Sequence, residues 1–146
     1  MRIYGAATVL TASLVVASQL AAQKQLVAPA DIERISGFKG VSPAPKALQT
    51  EGYQSFVRSS DNMVVLYVSL PGPSSHEAIE ITRNAIPHED VTGVGDEAFF
   101  ISEGHDLWIR KGDHGVVVRT GVDAKGSALL TPAQLKEIGK LVVARL

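Results

Sequence analysis

Cysteine is absent from all 146 residues. That one absence removes disulfides, thiolate nucleophiles, cysteine-ligated zinc and iron–sulfur clusters, together with the lipid-accepting cysteine of a bacterial lipoprotein. An excess of one charge is missing too. Lys and Arg number 14 against 15 Asp and Glu, and they are dispersed along the chain. No basic field recruits phosphate backbones, so nucleic acid is not an expected partner. Aromatic residues make up only 5%, with a single tryptophan, Trp108. No G-x-S-x-G elbow, phosphate loop or calcium-binding loop occurs, and no serine has a recognisable partner motif. What is present is ordinary for one domain: 45% hydrophobic and 20% charged residues. A chain of this length buries roughly two-thirds of its unfolded surface, which is enough to fold without a metal or disulfide staple.

One long uncharged run does occur. Arg2 is followed by residues 3–23 without a charge, rich in Ala, Val and Leu and ending in small residues. This is the pattern of a secretory signal peptide, with cleavage expected after Ala22. An uncleaved anchor is the alternative, but Thr8, Thr11, Ser13, Ser18 and Gln19 make the run only moderately apolar. The expected organisation is therefore a signal segment over 1–22 and a single α+β domain over 23–146, periplasmic or secreted, with no stable membrane span after processing.

Within that domain Pro29 opens a short helix carrying Ile32 and Ile35, with Gly37 just past its end. Residues 40–52 contain Pro43 and Pro45 and read as a surface-crossing loop. Residues 53–58 and 63–70 flank turn chemistry at 59–62 and read as a β-hairpin. Ser74 and Glu77 have capping-box spacing ahead of an amphipathic helix over 75–86. A strand is expected within 94–101. A second hairpin is expected from 107–110 and 116–120 around the Lys111 to Gly115 turn. Thr131 and Gln134 form another capping-box pattern, with Pro132 at the first helical position and Leu135, Ile138, Leu141, Val142 and Leu146 at helical spacing. The expected fold is α+β: one antiparallel sheet of about five strands, the 75–86 and 132–146 helices on one face, and a short N-terminal helix. The expected core comprises Val64, Leu66, Val68, Ile79, Ala98, Phe100, Val116, Val118, Leu135, Ile138 and Val142.

Few residues suggest chemistry. Gly93-Val94-Gly95-Asp96-Glu97-Ala98 matches a dinucleotide fingerprint in letters, but it lacks a preceding strand and a following helix. It reads as a loop-to-strand turn in which Asp96 accepts backbone N–H groups. His76 and Glu80 share a helix face, yet a metalloprotease needs a second histidine where Glu80 stands. His88, Glu89 and Asp90 lie past the helix end, about 15 Å away at a 1.5 Å rise per residue. His105 and His114 flank the second hairpin and could approach each other across it. No metal and no cofactor is expected. Trp108 stands between Leu107 and Ile109, so it occupies the opposite strand face. With Arg110 and the turn bearing Lys111, Asp113 and His114, it forms the candidate contact surface, since aromatic and arginine side chains carry disproportionate interface energy.

The series Val27-x-Pro29-Ala30-Asp31-Ile32-Glu33-Arg34-Ile35-Ser36-Gly37, a hairpin, Gly93 to Phe99, Leu107 to Asp113 and the Leu130 to Lys136 helix start resembles uncharacterised bacterial exported proteins. More distantly, it resembles small lipoproteins with a PsbP-like α+β fold. The resemblance spans most of residues 26–146 and implies a fold and an exported setting, with no reaction or catalytic residues to carry over. The expected function is an exported non-catalytic binding or accessory protein acting on an envelope or extracellular protein or a small ligand. The alternatives are a metal-dependent or hydrolytic enzyme built on His76, Glu80, His88, His105 and His114, and an envelope structural or assembly subunit. A pocket gathering two histidines and a carboxylate favours the enzyme, and a broad exposed apolar patch favours assembly.

Overall fold

The computed structural model describes residues 24–103 and 105–146; the expected signal segment and its cut after Ala22 lie outside the described residues. The chain forms α1 (Pro29–Ser36), β1 (Val41–Pro43), a 3₁₀ turn (Lys46–Leu48), β2 (Tyr53–Arg58), β3 (Val64–Ser69), α2 (Pro73–Ala85), β4 (Glu89–Asp90), β5 (Glu97–Ile101), β6 (Asp106–Lys111), β7 (His114–Thr120) and α3 (Pro132–Val143). The strands make one antiparallel sheet in the order β1-β2-β3-β7-β6-β5-β4. The α+β class and the antiparallel sheet agree with the sequence. The strand count does not: among the described residues there are seven, because β1 and β4 each add a two- or three-residue edge. Such stubs carry too few residues to show alternation.

Both hairpins close on side-chain chemistry. At the β2–β3 turn the Asp61 carboxylate takes two hydrogen bonds from Arg58, at 2.9 and 2.7 Å, and one from the Met63 N–H. Asn62 sits there in the left-handed region at φ 56°, which a short amide side chain tolerates better than most. The β6–β7 turn pairs Lys111 directly with His114, leaving Gly112 and Asp113 as a two-residue loop with glycine first, at φ 56°.

The helices occupy opposite faces of the sheet, which corrects the one-face arrangement. Leu107 and Ile109 of β6 join Val116 and Val118 of β7 and Leu66 and Val68 of β3 in a cluster with Ile32 of α1 and Leu135, Ile138 and Val142 of α3. Phe99 and Ile101 of β5 instead group with Ile79 of α2, and Trp108 packs against them. Successive strand residues point to opposite faces, so β5 and β6 are covered from both sides. Phe99, absent from the expected core, is therefore fully buried, whereas Val64 and Phe100, both expected in the core, are half-buried.

Helix α3 starts with the capping box read from the sequence: Gln134 N–H donates to Thr131 Oγ1 and the Gln134 side chain accepts from Thr131 N–H. Gly139 lets α3 come close, since a Cβ there would meet the side-chain ends of Leu107 and Ile109 at 2.9 Å. Helix α2 begins at Pro73 with Gly72 as its N-cap. Gly72 bridges Gly115 of β7, so the helix starts over β7 and heads for β4 at the far edge. Three strand spacings are about 14 Å, well within the roughly 20 Å length of a 13-residue helix. On that face no helix of the described residues covers β2, β3 or the far end of β7.

Candidate functional site

The uncovered half of the α2 face is a cleft of about 460 Å³. Register builds its floor. Ser55 of β2 lies opposite Tyr67 of β3, Tyr67 opposite Arg119 of β7, and Arg119 opposite Asp106 of β6. One cross-strand row therefore runs hydroxyl, phenol, guanidinium, carboxylate. Tyr53, two residues before Ser55, meets Tyr67 edge to face with centroids 6.4 Å apart, and the Arg119 guanidinium lies 5.9 Å from the Tyr53 ring centroid. The loop after β1 supplies Leu48 and Thr50 at the rim, and the segment after β7 supplies Val122. Gly121 brings that segment in: its N–H donates to Val65 O at 2.9 Å, and a Cβ would collide with the Val64 carbonyl.

Arg119 is held rather than free. Its Nε and Nη2 donate to the two oxygens of Asp106 at 2.5 and 3.0 Å. Asp106 is buried, and a buried carboxylate is tolerated when its partner hydrogen-bonds it in this forked geometry. The hydrogen bond to Asp106 pushes the Arg119 pKa up, with Tyr53 and Tyr67 adding to the effect. The guanidinium keeps its charge, and the pair is neutral as a unit. A second cavity of about 200 Å³ shares Tyr53 with the first and is otherwise lined by Gln25, Pro43, Gln49, Gln54 and Ser55. The Ser55 Oγ is buried with no hydrogen-bond partner among the described residues.

Strand alternation separates the contact residues expected from the sequence. Trp108 and Arg110 project on the α2 face, whereas Lys111 pairs with His114 next to the face of α3. Trp108 stacks on Phe99 with planes 7° apart and centroids 6.1 Å apart, and its Nε1 is buried without a partner among the described residues. Arg110 donates to Glu97 at 3.1 Å, and Glu97 also pairs with Arg83 of α2. Lys111, Asp113 and His114 are exposed at the hairpin tip.

The glycine motif has an architectural task. Gly95, at φ 61°, presses against β6, where a Cβ would sit 2.5 Å from the Arg110 carbonyl oxygen. Asp96 accepts the Gly112 N–H at 2.7 Å and faces Lys111 Nζ at 3.4 Å. The Gly112 hydrogen bond and then Lys111 hold its pKa below the ordinary carboxylate value. Asp96 thus fastens the β6–β7 turn, not the turn it belongs to.

The histidines do not assemble. His76 faces Glu80 at 3.9 Å along α2, and His88 faces Asp90 at 3.7 Å. His105 precedes β6, and its carbonyl accepts the Thr120 N–H. His114 pairs with Lys111 at the other end of the same hairpin, about 20 Å away for six residues of strand. The expected approach across the hairpin is therefore corrected: the two lie at opposite ends of it. Among the described residues no three His, Asp or Glu side chains gather where a metal ion could be held. No described helix is long and apolar enough to cross a membrane.

The cleft was not read from the sequence. Tyr53, Tyr67 and Arg119 fall inside the strand segments 53–58, 63–70 and 116–120, and nothing in their spacing sets them apart from other strand residues. The turn alone does not give the row: closing it at 59–62 sets Arg58 against Met63 and would put Ser55 opposite Leu66, and it is the bulge between Phe56 and Val57 that brings Ser55 opposite Tyr67. Fold and cleft together define a class, a seven-stranded antiparallel sheet closed on one face by two helices and half-closed on the other by one. Comparison with protein families, curated proteins and solved structures finds no match to this chain.

Proposed function

We propose that the chain is an exported, non-catalytic binding or accessory module whose ligand sits in the cleft over β2, β3 and β7. The observation that carries this reading is the half-open face, where Tyr53, Tyr67 and the Arg119–Asp106 pair form an ordered floor that no element of the described chain covers. Concave sites that combine aromatic surface with a few fixed polar groups are the usual form of a ligand site. Export rests on the uncharged run after Arg2, and the PsbP-like resemblance belongs to the same proposal, supported by the order of its short motifs along the chain. The hairpin tip with Lys111, Asp113 and His114 is the rival contact surface.

Capture from an envelope extract decides between them. Wild-type protein is compared with Tyr67→Ala and Arg110→Ala, each first shown by circular dichroism to be folded. A ligand lost only with Tyr67→Ala supports the cleft. Loss only with Arg110→Ala moves the site to the β6–β7 end, and equal retention by all three refutes both surfaces.

A further inference from the structure

Resting on the cleft reading, we infer that the ligand is a neutral oligosaccharide lying across Tyr53, with one part in each of the two cavities that share this residue. Charge narrows the chemistry first. Arg119 is the one charged side chain among the described residues lining the two cavities, and Asp106 already neutralises it through two hydrogen bonds. An ionic ligand would be desolvated there without a counter-charge, which is costly. A neutral ligand pays no such penalty.

Geometry narrows it further. An extended peptide is commonly held by main-chain pairing along a free sheet edge, but the edges here are β1, of three residues, and β4, of two. The cleft lies on a sheet face, where the strands present side chains while their N–H and C=O groups pair within the sheet. Its two tyrosines stand nearly perpendicular, at 86°, offering ring surface in two orientations. Aromatic rings carry a negative face that attracts the weakly positive C–H groups on the apolar side of a pyranose. Around the rings stand neutral hydrogen-bonding groups: Thr50, Asn62, Gln49 and the buried, unpartnered Ser55 Oγ. Buried hydroxyls ordinarily have a partner, and a sugar hydroxyl in the smaller cavity would supply one to Ser55.

Size agrees. A hexose unit takes on the order of 160 Å³, about five waters' share of liquid volume. The larger cavity, at about 460 Å³, has the volume of nearly three such units and the smaller, at about 200 Å³, of one. The matching ligand is a chain of at least three neutral sugars.

The test titrates the ¹⁵N-labelled protein separately with cellohexaose, maltohexaose, xylohexaose and N-acetylchitohexaose, up to about 10 mM so that binding as weak as a millimolar Kd is seen. At least one should shift the amides of residues 48–55, 64–67 and 119–122. Tyr53→Ala should weaken that binding at least about tenfold, a loss of about 1.4 kcal/mol. Tyr53→Phe, which keeps the ring, should weaken it less, and Ile81→Ala on the exposed side of α2 should leave it unchanged. The amide spectrum of each variant reports whether it is folded. If none of the four sugars shifts cleft amides, or if Tyr53→Ala binds as wild type, the oligosaccharide assignment is overturned. If the sugars fail while envelope capture still depends on Tyr67, the assignment is overturned and the binding-module reading stands.

Discussion

Two aromatic pairs lie on the same face of one sheet and meet different fates. Phe99 and Trp108, on neighbouring β5 and β6, stack almost in parallel beneath Ile79 of α2, and Phe99 is fully buried. Tyr53 and Tyr67, on neighbouring β2 and β3, stand edge to face with no helix of the described residues over them. The strands are of similar length and the pairing is antiparallel in both, so strand architecture does not separate them. The path of α2 does. Starting at Gly72 beside Gly115, it covers β7 and β6 on the way to β4 and never crosses β3. Side-chain choice follows the cover. The closed region holds two large, mainly apolar rings, and the open region holds phenols whose hydroxyls can meet water.

The contrast predicts unequal costs. Phe99→Ala should destabilise by about 3–5 kcal/mol, the range for truncating a buried aromatic, whereas Tyr67→Ala, which removes a half-buried ring, should cost less, about 1–3 kcal/mol from its lost burial and its ring pair together. Urea unfolding of both variants checks this, and equal midpoints would break the distinction between the regions. Between them lies the Arg119–Asp106 pair. Arg119→Met leaves the buried Asp106 without its main partner and should cost about 1–3 kcal/mol, reduced toward the lower figure because Arg119 is partly exposed. Thermal unfolding at neutral pH reads the effect.

The same contrast shows what a sequence can reveal. Residues 132–146 announced their helix through Thr131, Pro132 and Gln134, all local signals, and the capping box formed as read. Both hairpins were legible because turn residues at 59–62 and 111–115 sit between alternating runs. The faces were not. Whether α2 lies with α3 or against it depends on a bridge between Gly72 and Gly115, 43 residues apart in sequence, and neither glycine carries a side chain that patterning can register. With α2 misplaced, Trp108 looked available and Tyr53 and Tyr67 looked like ordinary strand residues. The Gly93 to Ala98 motif was assigned correctly to a turn, but its anchor lies in the next hairpin, where the Gly112 N–H reaches Asp96.

Smaller effects sharpen the picture. Thr131→Ala removes half of the α3 capping box and should cost about 1 kcal/mol, visible as a lower unfolding temperature with the cleft spectrum unchanged. At the open end, hydrogen bonds from Arg58 and then Met63 hold Asp61 down at about 2, against an ordinary value of 3.8. A carboxylate lowered on folding contributes stability that is present above its unfolded pKa and lost as the pH falls through its folded pKa. The contribution of Asp61 is therefore complete above about pH 4 and disappears towards about pH 2. Carbon-detected titration of the Asp61 carboxyl group should show this low midpoint, and Arg58→Ala should return it towards the ordinary value.

The central claim is that the half of the α2 face left open is where this protein meets its ligand. Site-specific photo-cross-linking tests it directly, with a benzophenone side chain placed in turn at Val122, on the rim of the cleft, and at Asp113, on the hairpin tip, and irradiation carried out in the producing cells. Because benzophenone abstracts hydrogen from any nearby C–H group, it reports protein and sugar ligands alike. The account predicts a discrete adduct from position 122 and none from position 113; an adduct from 113 alone, or none from either, contradicts it.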